Sequence, residues 1–255
     1  DLRTIGMALQ LNLEKSAQSL RLSLDKAGIP PNIKAELIFD MDVSGSFEHE
    51  HEEGTTSRLI ARLVPYGMVL DPDGQMDVFT FSDGKAHVHH VGVVTPEDCD
   101  DYIVRRVIER VPGWNGGTTY SHVLERNLQH FGWLPSDPAA GGFLSRFFGR
   151  PQEPEYRAQK RSIVIFVTDG ENDRSDYART ISVLEESEAR GDQVYFLFMG
   201  ACEHDVDFGL LRHIAERFRN TGVVIVRDLD GFVELSDDEL NAQLLGPELL
   251  AWLRS

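Results

Sequence analysis

The stretch SIVIFVTDG, residues 162–170, is apolar without polar alternation and stops abruptly on Thr168, Asp169 and Gly170. Alternation would mark a strand with one wet face. A continuous apolar run of this length marks a strand covered on both faces. AELIFDMD (35–42) has the same character, and MDVFTFSD (76–83), QVYFLFMG (193–200) and TGVVIVRDL (221–229) also read as strands. Helical stretches fall between them: SRLIARLVPYG, TYSHVLERNLQHFG, SDYARTISVLEESEARG and VDFGLLRHIAERF. AHVHHVGVV (86–94) follows MDVFTFSD after one turn at Asp83-Gly84, so it pairs antiparallel with its predecessor. Strands alternating with helices predict an α/β fold, doubly wound in the Rossmann-like manner, with a mainly parallel sheet and helices on both faces.

Two further helices are expected. PEDCDDYIVRRVIERV (96–111) starts at Pro96 and puts Tyr102, Val104, Val107, Ile108 and Val111 on one face. SDDELNAQLLGPELLAWL (236–253) reads as one closing helix. The N-terminal stretch is ambiguous. Leu13, Ala17, Leu20 and Leu24 have helical spacing, but LNL and LRLSL alternate as short strands would. The 255 residues divide as an extension, 1–34, and one domain, 35–255. Residues 134–160, rich in Pro and Gly, read as an inserted surface loop whose FLSRFF could dock a partner.

Composition excludes some classes of function. A formal charge of −17 with no concentrated basic patch argues against nucleic acid and anionic membrane surfaces. No apolar run reaches the roughly 18 residues of a membrane span, and the stretch from Asp1 lacks a signal-peptide pattern. Cys99 and Cys202 have neither metal spacing nor a disulfide framework, which fits a reducing cytoplasm.

In open parallel sheets, ligands sit beyond the carboxyl ends of the strands near the point where strand order reverses. Polar clusters fall at such places. DVSGS offers Asp42, Ser44 and Ser46, which share a face if the segment is extended. WNGGTTY presents Thr118 directly after Gly116-Gly117. VTDGEND carries Asp169 at the end of its strand. Hydroxyls from Ser44, Ser46 and Thr118 with carboxylates from Asp42 and Asp169 form an all-oxygen set suited to a hard divalent cation. The absence of Cys and His from the set argues against zinc.

This pattern resembles the von Willebrand factor A (vWA) domain, whose metal-ion-dependent adhesion site has the form DxSxS, then Thr, then Asp. LDPDGQMDVFTFSD, NGGTTYSHVL and QVYFLFMG resemble its bacterial branch linked to tellurium-resistance and stress gene clusters. The resemblance covers residues 35 to about 250. It implies a six-stranded sheet with one antiparallel edge strand, Mg²⁺ (or Mn²⁺ or Ca²⁺) at the five residues, and no catalytic turnover. It further implies an adaptor role in which a partner protein supplies a Glu or Asp to the ion. Phe47 replaces the frequent Met, and Asp40 replaces an apolar residue, as either an outer acceptor for the site or a hydrogen-bonded structural acid.

The alternative is an enzyme. Asp40-Met41-Asp42 resembles the opening of haloacid-dehalogenase-like, Mg-dependent phosphohydrolases, with Asp40 as nucleophile and Asp42 as general acid. Asp169 and Asp173 would then bind magnesium, with Ser82 and Lys160 in support. That reading leaves Ser44, Ser46 and NGGTT without a task. Other polar groups read as ordinary surface or packing residues. They are His49 and His51 in an acidic approach to a helix, His87, His89 and His90 on an edge strand, His122 on a helix face, Glu171 and Asp173 at a helix start, and Cys202 as an inert buried thiol.

Overall fold

The computed structural model describes residues 2–136, 158–202 and 206–255. A six-stranded sheet has the order β3-β2-β1-β4-β5-β6, with β1 Glu36–Asp42, β2 Met76–Phe81, β3 His89–Val94, β4 Ser162–Thr168, β5 Val194–Ala201 and β6 Thr221–Val226. All neighbouring pairs are parallel except β2 with β3. The vWA-type fold expected from the sequence is therefore present.

Every residue of β4 and β5 is buried, as their unbroken apolar runs require. Strand alternation divides β1 between two cores. Leu37, Phe39 and Met41 belong to one, Ile38 to the other. The first core is covered by α1 Leu2–Lys26, α3 Thr55–Leu70, α4 Tyr102–Arg106, α8 Leu229–Val233, α9 Asp237–Leu244 and α10 Pro247–Arg254. The second is covered by α5 Ser121–His130, α6 Tyr177–Arg190 and α7 Gly209–Arg217. On that second face Phe81, Tyr120, Phe166 and Phe198 form a ring cluster just beneath the carboxyl ends of the strands. A short α2, Glu48–Glu52, precedes α3.

The N-terminal ambiguity resolves as one helix. Leu13, Ala17, Leu20 and Leu24 are buried, and α1 packs on α3 and α9. Ser16 Oγ donates to Asp237 Oδ1 at 3.0 Å, and Asn241 Nδ2 donates to Ser19 Oγ at 3.3 Å. Two helix expectations need correction. Residues 96–101 are turns, held by Thr95 N–H donating to Asp98 Oδ1, and α4 spans only Tyr102–Arg106. Val104 points to solvent, and Glu109, in the left-handed region at φ 56°, ends any helical continuation. The closing segment is two helices, α9 and α10, because Pro247 starts a new helix after extended Gly246.

His90 also differs from a simple surface histidine. His90 Nε2 lies 2.6 Å from Asp77 Oδ1, His130 Nε2 lies 3.1 Å from Asp77 Oδ2, and Phe79 stacks on His90. This pair of contacts ties edge strand β3 to α5. The FLSRFF motif lies outside the described residues.

Candidate metal centre

The reversal of strand order lies between β1 and β4, which leave the sheet side by side. Asp42 is the last residue of β1, and Asp169 directly follows β4. Beyond Asp42 the chain turns, because Ser44 N–H donates to Asp42 Oδ1 at 2.8 Å. The other oxygen, Oδ2, accepts from Thr168 Oγ1 at 2.6 Å. Both carboxylate oxygens of Asp42 thus already hold protein groups, and the side chain is fully buried.

Ser46 Oγ donates to Asp169 Oδ1 at 2.9 Å, while Ser44 Oγ lies 3.3 Å from Ser46 Oγ and 3.5 Å from the same carboxylate oxygen. Thr118 comes from a third loop. A Cβ placed on Gly170 would lie 3.6 Å from Thr118 Oγ1 and 3.7 Å from Ser46 Oγ, so both hydroxyls border one small space beside Asp169. The WNGG loop is held against the serine loop by Asn115 N–H to Val43 O at 2.9 Å and Gly45 N–H to Gly116 O at 3.0 Å. All five residues singled out from the sequence therefore meet at the carboxyl end of the sheet.

Burial dominates the electrostatics of the two acids at this point. Burial pushes the Asp42 carboxyl up to about 6, against the hydrogen bonds from Thr168 and Ser44. Asp169 is pushed up to about 7, by burial first and then by the charge of Asp42. Among the described residues, no three His, Cys, Asp or Glu side chains alone could hold a metal. The groups that could hold an ion are mixed: hydroxyls of Ser44, Ser46 and Thr118 and the Asp169 carboxylate, with the Asp42 carboxylate beneath them. Hydroxyl and carboxylate oxygens around one space suit Mg²⁺, Mn²⁺ or Ca²⁺.

His51 is the largest departure from the sequence reading. It is fully buried, not solvated. Its Nε2 lies 2.9 Å from the Asp42 carbonyl and its Nδ1 2.9 Å from Thr56 Oγ1. A carbonyl only accepts, so Nε2 carries the proton. Burial lowers the imidazole pKa to about 4 and keeps it neutral, so Nδ1 accepts from the Thr56 hydroxyl. Phe47 and Trp114 flank the ring. His51 therefore fixes the backbone from which the serine loop departs. Its charged neighbours in EHEHEE masked this role, and Thr168 carried no sequence signal beyond ending its strand.

Asp40 is a structural acid. It is fully buried, and Asn127 Nδ2 of α5 donates to its Oδ2. Burial raises its pKa well above the carboxylate range. Asp40 Oδ1 and Asn127 Oδ1 are buried without a hydrogen-bond partner among the described residues. An attacking carboxylate must be reachable, and Asp40 is fully buried against Asn127. Lys160 pairs with Glu36 at 2.8 Å, at the opposite end of the sheet. The phosphohydrolase arrangement is thus not assembled. Asp40→Asn keeps an acceptor oxygen for Asn127 Nδ2, so it is expected to change unfolding stability by under about 1 kcal/mol and leave ion affinity unchanged, as chemical denaturation and calorimetry would measure.

The remaining polar groups have local partners or surroundings. His49 pairs with Glu53 at 3.3 Å, and His87 with Asp83 at 3.2 Å. His122 is half-buried on α5. Asp173 accepts from Ser175 at the turn before α6. Cys202 is half-buried, not fully enclosed.

The mainly parallel six-stranded sheet with one antiparallel edge pair and helices packed around it is a vWA-type α/β fold. Residues 34–144 match the family model vWA-TerF-like, described as the vWA found in TerF C terminus. The fold also matches the TFIIH p34 N-terminal domain, with a TM-score of 0.51 and 12% identity over 80% of this chain and 96% of that one. Weaker matches include proximal thread matrix protein 1 from the mussel byssus (TM-score 0.45, 19% identity, 84% of this chain and 49% of that one). Another is manganese-loaded Plasmodium vivax TRAP protein (TM-score 0.46, 16% identity, 86% and 75%). The chain spans about half the length of the mussel chain. No curated protein matches it at a significant level.

Proposed function

We propose that the chain is a divalent-cation-dependent protein-binding module, working by reversible association and without catalytic turnover. The observation that carries this reading is the convergence of Ser44, Ser46 and Asp169, within 2.9–3.5 Å of one another, beside Thr118 and above buried Asp42. The bound ion, Mg²⁺ or its substitutes Mn²⁺ and Ca²⁺, supplies an electrophilic position for an outside carboxylate. Ser44, Ser46 and Thr118 are neutral donors and leave the positive charge largely unquenched. Both Asp42 oxygens hold Ser44 N–H and Thr168, so its carboxylate supports the serine loop and contributes negative charge from below.

The partner is a protein that offers a Glu or Asp. Glu48, Glu50, Glu53 and Glu171 lie on the segments bordering the site, and the chain carries −17 overall. The partner carboxylate must therefore sit within a neutral or basic patch, which screens out most acidic proteins. Among the described residues no helix is long and apolar enough to cross a membrane. The reading places the module in the cytoplasm, in a stress or tellurium-resistance setting.

The test is capture of proteins by the immobilised chain in Mg²⁺ or EDTA. It is followed by titration of an identified, purified partner against wild type and Thr118→Ala. Affinity is expected to fall at least about tenfold in EDTA and to weaken in the variant while its unfolding transition persists. Equal affinity in Mg²⁺ and EDTA overturns the reading.

A further inference from the structure

Thr118 stands on a loop between two sets of hydrogen bonds. On one side Asn115 and Gly116 are fastened to the serine loop. On the other, Tyr120 and Ser121 are fastened to the segment after Asp169, mainly by Asp176. This residue is 6% exposed and lies just before α6. Asp176 Oδ2 accepts from Tyr120 N–H at 3.0 Å, Ser121 N–H at 3.0 Å and Thr180 Oγ1 at 2.9 Å, and Oδ1 accepts from Ser121 Oγ at 2.5 Å. Asn172 adds a second acceptor for Tyr120 N–H at 3.0 Å and donates to Thr180 Oγ1 at 2.9 Å. Tyr120 Oη donates to Gly170 O at 2.6 Å, and Asp173 N–H donates to Thr118 O at 2.9 Å.

The physical consequence concerns α5. The first amides of a helix lack internal acceptors and carry partial positive charge. Here a buried carboxylate from the other loop takes them, so the start of α5 is fixed to the same short segment that carries Asp169. Thr118, two residues ahead of Tyr120, therefore keeps its distance to Asp169 through Asp176 and Asn172. A hard cation responds sharply to that distance, because Mg²⁺ and Mn²⁺ require shorter oxygen contacts than Ca²⁺.

Given the ion-binding reading above, we infer that Asp176 is a positioning residue that holds Thr118 in register with Asp169 and thereby sets the affinity and size preference of the ion site. The test compares wild type, Asp176→Asn and Asp176→Ala in three measurements: Mn²⁺ titration followed by electron paramagnetic resonance, Ca²⁺ competition for Mn²⁺, and amide exchange of residues 117–121 in EDTA.

Asp176→Ala is expected to lower Mn²⁺ affinity about 10- to 100-fold, the range for outer partners of metal ligands. It is also expected to shift the Mn²⁺/Ca²⁺ ratio towards Ca²⁺ and speed exchange at Tyr120 and Ser121. Asp176→Asn, which keeps one acceptor oxygen, is expected to fall between. A purely structural role would lower stability without moving the ion ratio. If Asp176→Ala does not fold, Ser121→Ala removes a single leg of the clamp and is judged by the same ratio. Wild-type Mn²⁺ binding with unchanged affinity and ratio in the folded variants overturns this inference alone. Absence of Mn²⁺ binding by wild type overturns the ion-binding reading and this one with it.

Discussion

Replacing Asp169 by alanine is expected to reduce Mn²⁺ affinity by at least about 100-fold, beyond the effect of losing an outer partner. Its Oδ1 is the shared acceptor for Ser46 and Ser44, so no neighbouring carboxylate can replace it from the same position. In EDTA the same change is expected to leave thermal stability unchanged or slightly raised. Asp169 is a mostly buried acid whose ionisation burial and the Asp42 charge oppose, and alanine relieves both. Adding Mn²⁺ at about 100 times its dissociation constant stabilises wild type by about 2.7 kcal/mol, and the variant gains none of it.

Asp42→Ala separates the two effects. Its oxygens hold Ser44 N–H and Thr168 Oγ1, so its loss is expected to remove ion binding and also to cost about 1–3 kcal/mol in EDTA. Calorimetry and thermal unfolding in both buffers check these expectations. Wild-type-like Mn²⁺ affinity in either variant refutes the site.

The two strands that carry the acids could be read from sequence because their burial on both faces leaves no polar phase. The polar cluster at the carboxyl end of the sheet could be read because Asp42, Ser44 and Ser46 lie within one short segment and Thr118 follows two glycines. What escaped was support that depends on tertiary neighbours. His51 sits among four glutamates and reads as solvated, yet one turn of α2 swings it under the Asp42 carbonyl. Asp176 reads as a helix start and in fact caps a different helix, α5. The N-terminal segment satisfied two periodicities at once, and only packing against α3 and α9 selects the helix. Pro247 was visible, but the surrounding leucine spacing continued through it and suggested a single helix.

Gly113→Ala is expected to cost about 2–4 kcal/mol, lowering the unfolding temperature by about 5–15 °C. Two penalties combine. Gly113 has φ 76°, a left-handed conformation that costs an L residue about 1 kcal/mol or more. Its new Cβ would also lie 2.1 Å from Ser82 Oγ and 2.5 Å from His87 Cβ, and the Ser82 hydroxyl is already buried. Relief requires the 113–117 loop to move away from β2. That loop carries Gly116, whose N–H donates to Gly113 O and whose carbonyl holds Gly45, so Thr118 shifts with it and ion affinity falls as well.

Gly74→Ala is the matched control. Its φ is 77°, but nothing lies within 4 Å of the added methyl, so only the conformational penalty remains and the ion site is untouched. The difference between the two variants measures the crowding alone. Equal stability losses with equal ion affinity would show that the loop under Thr118 tolerates displacement and does not help to set the site.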